Sequence, residues 1–151
     1  MLMPTSLVLM IYGSALQSEV ISDKDWALIW NGEFNGENLG MTKWSCQTGT
    51  NSAYSLPAGW GNNELQFYPQ RRDNVFVKNG RLYIRVNRED FEEHGYTSAR
   101  IGTAFKGDWL YGKFEISAKL PKGQGIWPAI WMIPTKDTYG SWAASSEIDI
   151  V

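Results

Sequence analysis

The stretch NVFVKNGRLYIRVNR, residues 74–88, constrains this chain more than any other. Val75 and Val77 alternate with Phe76 and Lys78. Leu82, Ile84 and Val86 alternate with Tyr83 and Arg85. Between the two runs lies Asn79-Gly80. Both residues accept the positive φ angles required by a two-residue turn that matches strand twist, so the stretch predicts a β-hairpin. YGKFEISAKLP, residues 111–121, repeats the alternation, with Phe114, Ile116 and Ala118 on one side and Lys113, Glu115 and Ser117 on the other. IWPAIWMIP, residues 126–134, is apolar on both faces, as a central strand covered on both sides would be. Pro128 has no N–H to give a ladder, so it belongs at a strand start, edge or bulge. No repeat, low-complexity run or long helical period interrupts this pattern. Short strands between Gly, Pro and Asn turns predict an all-β sandwich.

The 151 residues suit about one domain. With 43% hydrophobic and 20% charged residues, the chain is of the ordinary globular class. A net charge of -2 offers no basic surface, so neither nucleic acid nor an anionic membrane is expected as a partner. Cys46 is the only cysteine, which rules out an intrachain disulfide and suits a small buried hydrophobe. His94 is the only histidine and lies in the acidic stretch REDFEEHGYTS, where a solvated loop is expected. A histidine-dependent triad and a multi-histidine metal centre are thereby set aside. Tryptophan is the outlier, at 8 residues. The indole N–H needs a partner when buried, so about half the tryptophans are expected in the core and the rest along a surface or groove.

The N-terminus, MLMPTSLVLMIYGSALQSEV, is apolar from Leu7 to Tyr12 and then small at Gly13, Ser14 and Ala15. It resembles a secretory leader cleaved near residues 15–18, although no Lys or Arg precedes Lys24. A mis-assigned start or a plain buried segment is the alternative. The run is too short to span a bilayer. The expected division is a leader over residues 1–18 and one domain over 19–151, exported to the extracellular space.

The last seven residues, SSEIDIV, carry the chemistry. Along a strand, Glu147 and Asp149 share one face and Ile148 and Ile150 the other. The isoleucines are expected to face a core. The acids then face a side that cannot be a second dry core, because an ionised carboxylate there needs a partner. By itself E-x-D is more often a solvent-facing pair on an amphipathic strand. An aromatic-lined groove is the other solution. There, neighbouring acids hold one another in different protonation states, as retaining glycoside hydrolysis requires of two carboxyl groups about 5–5.5 Å apart.

Four motifs in order, NNELQFY (62–68), YGKFEISAKLP (111–121), WPAIWMIP (127–134) and SWAASSEIDI (141–150), resemble glycoside hydrolase family 16. The chain is most similar to its laminarinase-like endo-β-1,3-glucanases, from roughly Trp30 to Val151. The resemblance implies a β-jelly-roll sandwich of the concanavalin A-like type with a substrate cleft across its concave sheet, cut short here at Val151. It implies endo-hydrolysis of a β-1,3- or mixed β-1,3/1,4-glucan with retention of configuration. Glu147 matches the nucleophile and Asp149 the assisting acid. The family's acid/base glutamate follows in an E-x-D-x-E or an E-x-D-x-x-E spacing. Val151 occupies the plain position, so the bulged spacing is implied, with Val151 as the extra residue and the glutamate next. Trp127, Trp131 and Trp142 match cleft aromatics that would stack on sugar rings. Asn63 and Glu64 match polar cleft contacts, and Arg100 a position that often contacts sugar hydroxyls.

No cofactor is required by this resemblance. It allows a structural calcium away from the cleft, with Glu33 as a ligand beside backbone oxygens of a turn such as Gly80. The expected partner is a β-glucan polysaccharide or oligosaccharide, bound by a monomer. A non-catalytic β-glucan recognition protein is the alternative, and transglycosylation with the same acids a third. The residue after Val151 would discriminate enzyme from recognition protein, and product analysis on a β-glucan oligosaccharide would separate transglycosylation from hydrolysis. The 151-residue chain alone is expected to be inactive.

Overall fold

A computed structural model describes residues 7–12, 26–50 and 57–151. The expected leader therefore lies largely outside the described residues, as does its cleavage position. Only its stretch Leu7–Tyr12 is seen, as strand β1. The strands that follow are β2 (Ser45–Gln47), β3 (Gln66–Phe67), β4 (Val75–Lys78), β5 (Arg81–Phe91), β6 (His94–Thr97), β7 (Arg100–Gly102), β8 (Ala118–Lys119), β9 (Trp131–Met132) and β10 (Ile148–Asp149). The one helical turn among the described elements is a 3-10 turn at Gly59–Gly61. No helix among the described residues is long and apolar enough to cross a membrane. The fold is all-β, a jelly-roll sandwich as expected.

The Asn79-Gly80 hairpin forms with Lys78 opposite Arg81, and the two turn residues take φ 53° and 67°. Its alternation sets the core. Val75, Val77 and Leu82 are buried on one face, Leu82 completely, with Phe34, Leu39, Cys46, Ile84, Ala99 and Ile101 packed against them. Cys46 and Ile101 come from the ribbon β2–β7, where they are paired. The core thus lies between two sheets, the sandwich layout. On the opposite face of the hairpin, Phe76 and Tyr83 stack at 4.8 Å with rings 3° from parallel. Cys46 is half-buried in this packing, and burial raises its thiol pKa, partly offset by Lys106.

The larger sheet runs β3-β6-β5-β1-β8, with β4 also paired to β5. The β5–β6 connection is a second two-residue hairpin. Phe91 pairs with His94, and the turn residues Glu92 and Glu93 take φ 46° and 65°. This corrects the loop expected around His94. The histidine opens a strand, its Nδ1 lies 3.2 Å from Leu65 O, and its ring lies 5.8 Å from Phe67. Neither glutamate favours the left-handed region, so the turn was not legible. Glu92→Asn with Glu93→Gly is expected to stabilise the protein by about 1 kcal/mol. That corresponds to a melting temperature about 2–4 °C higher. A thermal melt showing no rise would count against this turn.

Two strands are shorter than the alternation predicts. Within residues 111–121 only Ala118–Lys119 pairs, and Phe114 and Ile116 are 41% and 43% exposed. Within 126–134 the regular strand is confined to Trp131–Met132, flanked by the bonded Ile130, and among the described residues its one partner is β10, with Pro128 before the strand. Ile148 and Ile150 do not face a core: they are 55% and 42% exposed. The cause is common to all. A strand is lengthened by neighbours at its edges and by cover on its apolar face, and among the described residues each of these segments has one short pairing, to β1 or within the β9–β10 ribbon, and leaves its apolar side chains largely uncovered.

The tryptophans divide much as expected. Trp60 is buried, and Trp30, Trp44 and Trp109 form a half-buried edge-on cluster, with Trp30 5.4 Å from Trp44 and 5.3 Å from Trp109. Trp26, Trp127 and Trp142 are more than half exposed.

Candidate active site

Across the β9–β10 ribbon, Asp149 pairs with Trp131 and Ile148 with Met132. Directly opposed residues of an antiparallel pair project to the same face. Asp149 and Trp131 therefore share one, and Glu147 joins them by alternation. After Asp149 the ladder changes step. The N–H groups of Ile150 and Val151 both donate to Ile130 O, at 2.8 and 3.1 Å, and Ile130 N–H donates to Val151 O at 3.2 Å. Two residues face one, which is a β-bulge. It lies where the longer carboxylate spacing needs its extra residue.

Trp131 is backed by Arg100 of β7. The guanidinium carbon lies 4.8 Å from the Trp131 ring centre and 4.6 Å from that of Trp60. Its Nε donates to Gln47 Oε1 at 2.6 Å, and Nη1 is 3.9 Å from Glu64 Oε1. The cation thus lies against two aromatic rings, with Nε bonded to Gln47 and the Glu64 carboxylate at ion-pair distance.

Glu64 is correspondingly well held. Its side chain is only 12% exposed. Oε2 accepts from Tyr68 OH at 2.5 Å and from Gln66 Nε2 at 2.8 Å, and Oε1 accepts from Asn62 Nδ2 at 3.4 Å. Burial, and then the Glu64 carboxylate, push the Tyr68 hydroxyl pKa up, so it stays protonated and donating. Local backbone shape makes this possible. Gly59 has φ 63°, and a Cβ there would lie 2.7 Å from Glu64 N. Only glycine lets the Gly59–Gly61 turn close onto Glu64. Asn63, at φ 57°, is exposed beside it. An open hollow of about 520 Å³ adjoins Asn63 and Glu64, bordered by Leu65, His94 and Tyr96.

At the other end, Trp142 Nε1 donates to Glu147 Oε2 at 2.6 Å. Contacts and strand pairing therefore link Glu64, Arg100, Trp131 and Asp149, and a hydrogen bond joins Glu147 to Trp142, the two acids being related by alternation. Trp127 is 73% exposed and stands outside this set among the described residues. Sequence reasoning missed Gln47, Trp60, Gln66 and Tyr68. For two of these a signal existed: Glu64, Gln66 and Tyr68 are spaced by two, one face of an extended segment.

Glu33 is half-buried, and Asn35 Oδ1 lies 3.8 Å from the position of a Cβ on Gly80. Oxygen donors of this kind suit calcium. No group of three or more His, Cys, Asp or Glu side chains converges among the described residues, so Glu33 would rely on amide and backbone oxygens.

Two carboxylates on one strand face, beside an aromatic ring stiffened by a cation, suit a ligand that is apolar on its flat faces and polar at its edges. Comparison with known proteins points the same way. Residues 60–150 match the model of glycosyl hydrolases family 16. A beta-glucanase from Rhodothermus marinus is 42% identical over 151 residues, 96% of this chain and 50% of the relative. A beta-1,3-glucan-binding protein from Penaeus monodon is 51% identical over 55 residues, 36% of this chain and 15% of the relative. The X-ray structure of the laminarinase from Rhodothermus marinus superposes with a TM-score of 0.75 at 46% identity, covering 83% of this chain and 49% of that one. The chain thus spans about half the length of that beta-glucanase and that laminarinase.

Proposed function

We propose, because the chain belongs to glycosyl hydrolases family 16, that the whole protein is an endo-β-glucanase. Its substrate is a β-1,3- or mixed β-1,3/1,4-glucan, cleaved with retention at the anomeric carbon. The observation that carries this reading is the placement of Glu147 and Asp149 on the strand face that bears Trp131, followed by the bulge at Ile150–Val151.

In this reading, a Glu147 oxygen attacks the anomeric carbon and the leaving oxygen takes a proton from the acid/base. The residue after Val151, returned to the cleft side by the bulge, is the proposed acid/base. Water then displaces Glu147, with the same group as base. Asp149, beside Glu147 on the same face, adjusts the charge there. Trp131 offers a platform for a glucose ring, and Arg100 keeps that platform in place. Asn63, Glu64, Trp127 and the adjoining hollow are proposed contacts for further glucose units. We also propose that the protein is exported, acts as a monomer, and uses any calcium at Glu33 structurally.

The test is the whole protein on a β-1,3-glucan, followed by proton NMR of the fresh product. Internal cleavage with the β-anomer formed first is expected. If the α-anomer forms first, retention is wrong. The similarity to a beta-1,3-glucan-binding protein supports a second reading, recognition without catalysis. Tight glucan binding with no release of reducing ends would favour it.

A further inference from the structure

Trp142 is 68% exposed, yet its indole N–H is not left to water. It donates to Glu147 Oε2 at 2.6 Å, a short, charge-assisted bond. The loop that carries it is fixed from within. Ser145 is 6% exposed; its Oγ donates to Gly140 O at 2.6 Å and accepts from Tyr139 N–H at 3.0 Å. On either side of Trp142, Ser141 O accepts from Ala144 N–H at 2.8 Å and Ala143 O from Ser146 N–H at 2.9 Å. The indole is thus delivered by a pinned backbone.

We infer that Trp142 is a positioning residue for the nucleophile, holding Glu147 through Oε2 and leaving Oε1 as the oxygen that bonds to the anomeric carbon. The inference rests on the assignment of Glu147 under the proposed function. It goes beyond ring stacking and has a directional consequence. In the first step, C1–Oε1 forms, the bond from C1 to the leaving oxygen breaks, and that oxygen takes the acid's proton. Glu147 passes from carboxylate to ester, so Oε2 becomes a weaker acceptor. In the second step, water bonds to C1 and gives its proton to the base, and the C1–Oε1 electron pair returns to the carboxylate. Negative charge reappears on Glu147, and the Trp142 bond strengthens as it does. Only an interaction stronger in the transition state than in the state before it accelerates a step. The bond therefore favours departure of the carboxylate more than its attack.

The test is Trp142→Phe in the whole protein, which keeps a ring and removes the N–H. Losing one hydrogen bond to a charged group is expected to slow deglycosylation about 10–100-fold. Then kcat and KM fall together, kcat/KM does not fall, and an activated aryl β-glucoside gives a burst of one phenol per active site. A raised KM with kcat unchanged would overturn the inference in favour of stacking alone, as would wild-type kinetics with no burst. An independent readout is the Trp142 indole proton resonance in the unliganded protein, which should move when Glu147→Gln is introduced; an unmoved resonance would also overturn it. Wild-type protein inert on β-glucan would instead defeat the proposed function itself.

Discussion

Glu147→Gln in the whole protein is expected to lower kcat on a β-glucan by at least about 10⁴-fold while leaving glucan binding measurable, since removal of a nucleophile costs about that much or more. The substitution keeps the size and shape of the side chain but removes its capacity to form a glycosyl ester. Little else changes. Arg100 still lies against Trp131 and Trp60, and Glu64 still accepts from Tyr68 and Gln66. The platform that would hold sugar is therefore intact. Isothermal titration with a β-1,3-glucan oligosaccharide, beside turnover measurements, checks both halves of the expectation. A near-native rate would show that Glu147 is not the nucleophile.

The second large effect concerns the 151-residue polypeptide by itself, which is expected to release no detectable reducing sugar from β-glucan. Asp149 stands on, and Glu147 immediately before, a ribbon of two-residue strands paired only to each other among the described residues. Ile148 and Ile150, which should anchor that ribbon from behind, are 55% and 42% exposed. A catalytic constellation must be held to within a fraction of an ångström of its working geometry, and an uncovered two-strand ribbon cannot do so. Exposed apolar edges also invite pairing between chains. Robust turnover by the purified polypeptide would refute this expectation.

Legibility in the sequence followed physical locality. The Asn79-Gly80 hairpin was readable because both turn residues state their φ preference and the flanking alternation states the buried face. The Glu92-Glu93 hairpin has the same shape without such residues, so nothing marked it and His94 was assigned to a loop. The acids were placed on one face by period-two alternation alone, and the bulge by the family resemblance, in whose plain spacing Val151 stands where a glutamate would. Distances across the chain were not readable. That Arg100 lies against Trp131 depends on β7 and β9 converging from 31 positions apart. That Trp142 reaches Glu147 depends on how Ser145 folds its loop. The tryptophan count announced an aromatic surface but could not say which ring would be armed with a cation and which left bare.

The bulge at Ile150–Val151 also sets what a change of sequence there would do to the strand. A strand is a two-letter alphabet, inward and outward, and the shared carbonyl of Ile130 absorbs one letter without changing the message. Deleting position 151 would take the bulge with it and restore simple alternation, in which every second position from Glu147 faces the same way. Substituting it would leave parity untouched. At this position the ladder fixes a count, two residues against one, through backbone groups alone.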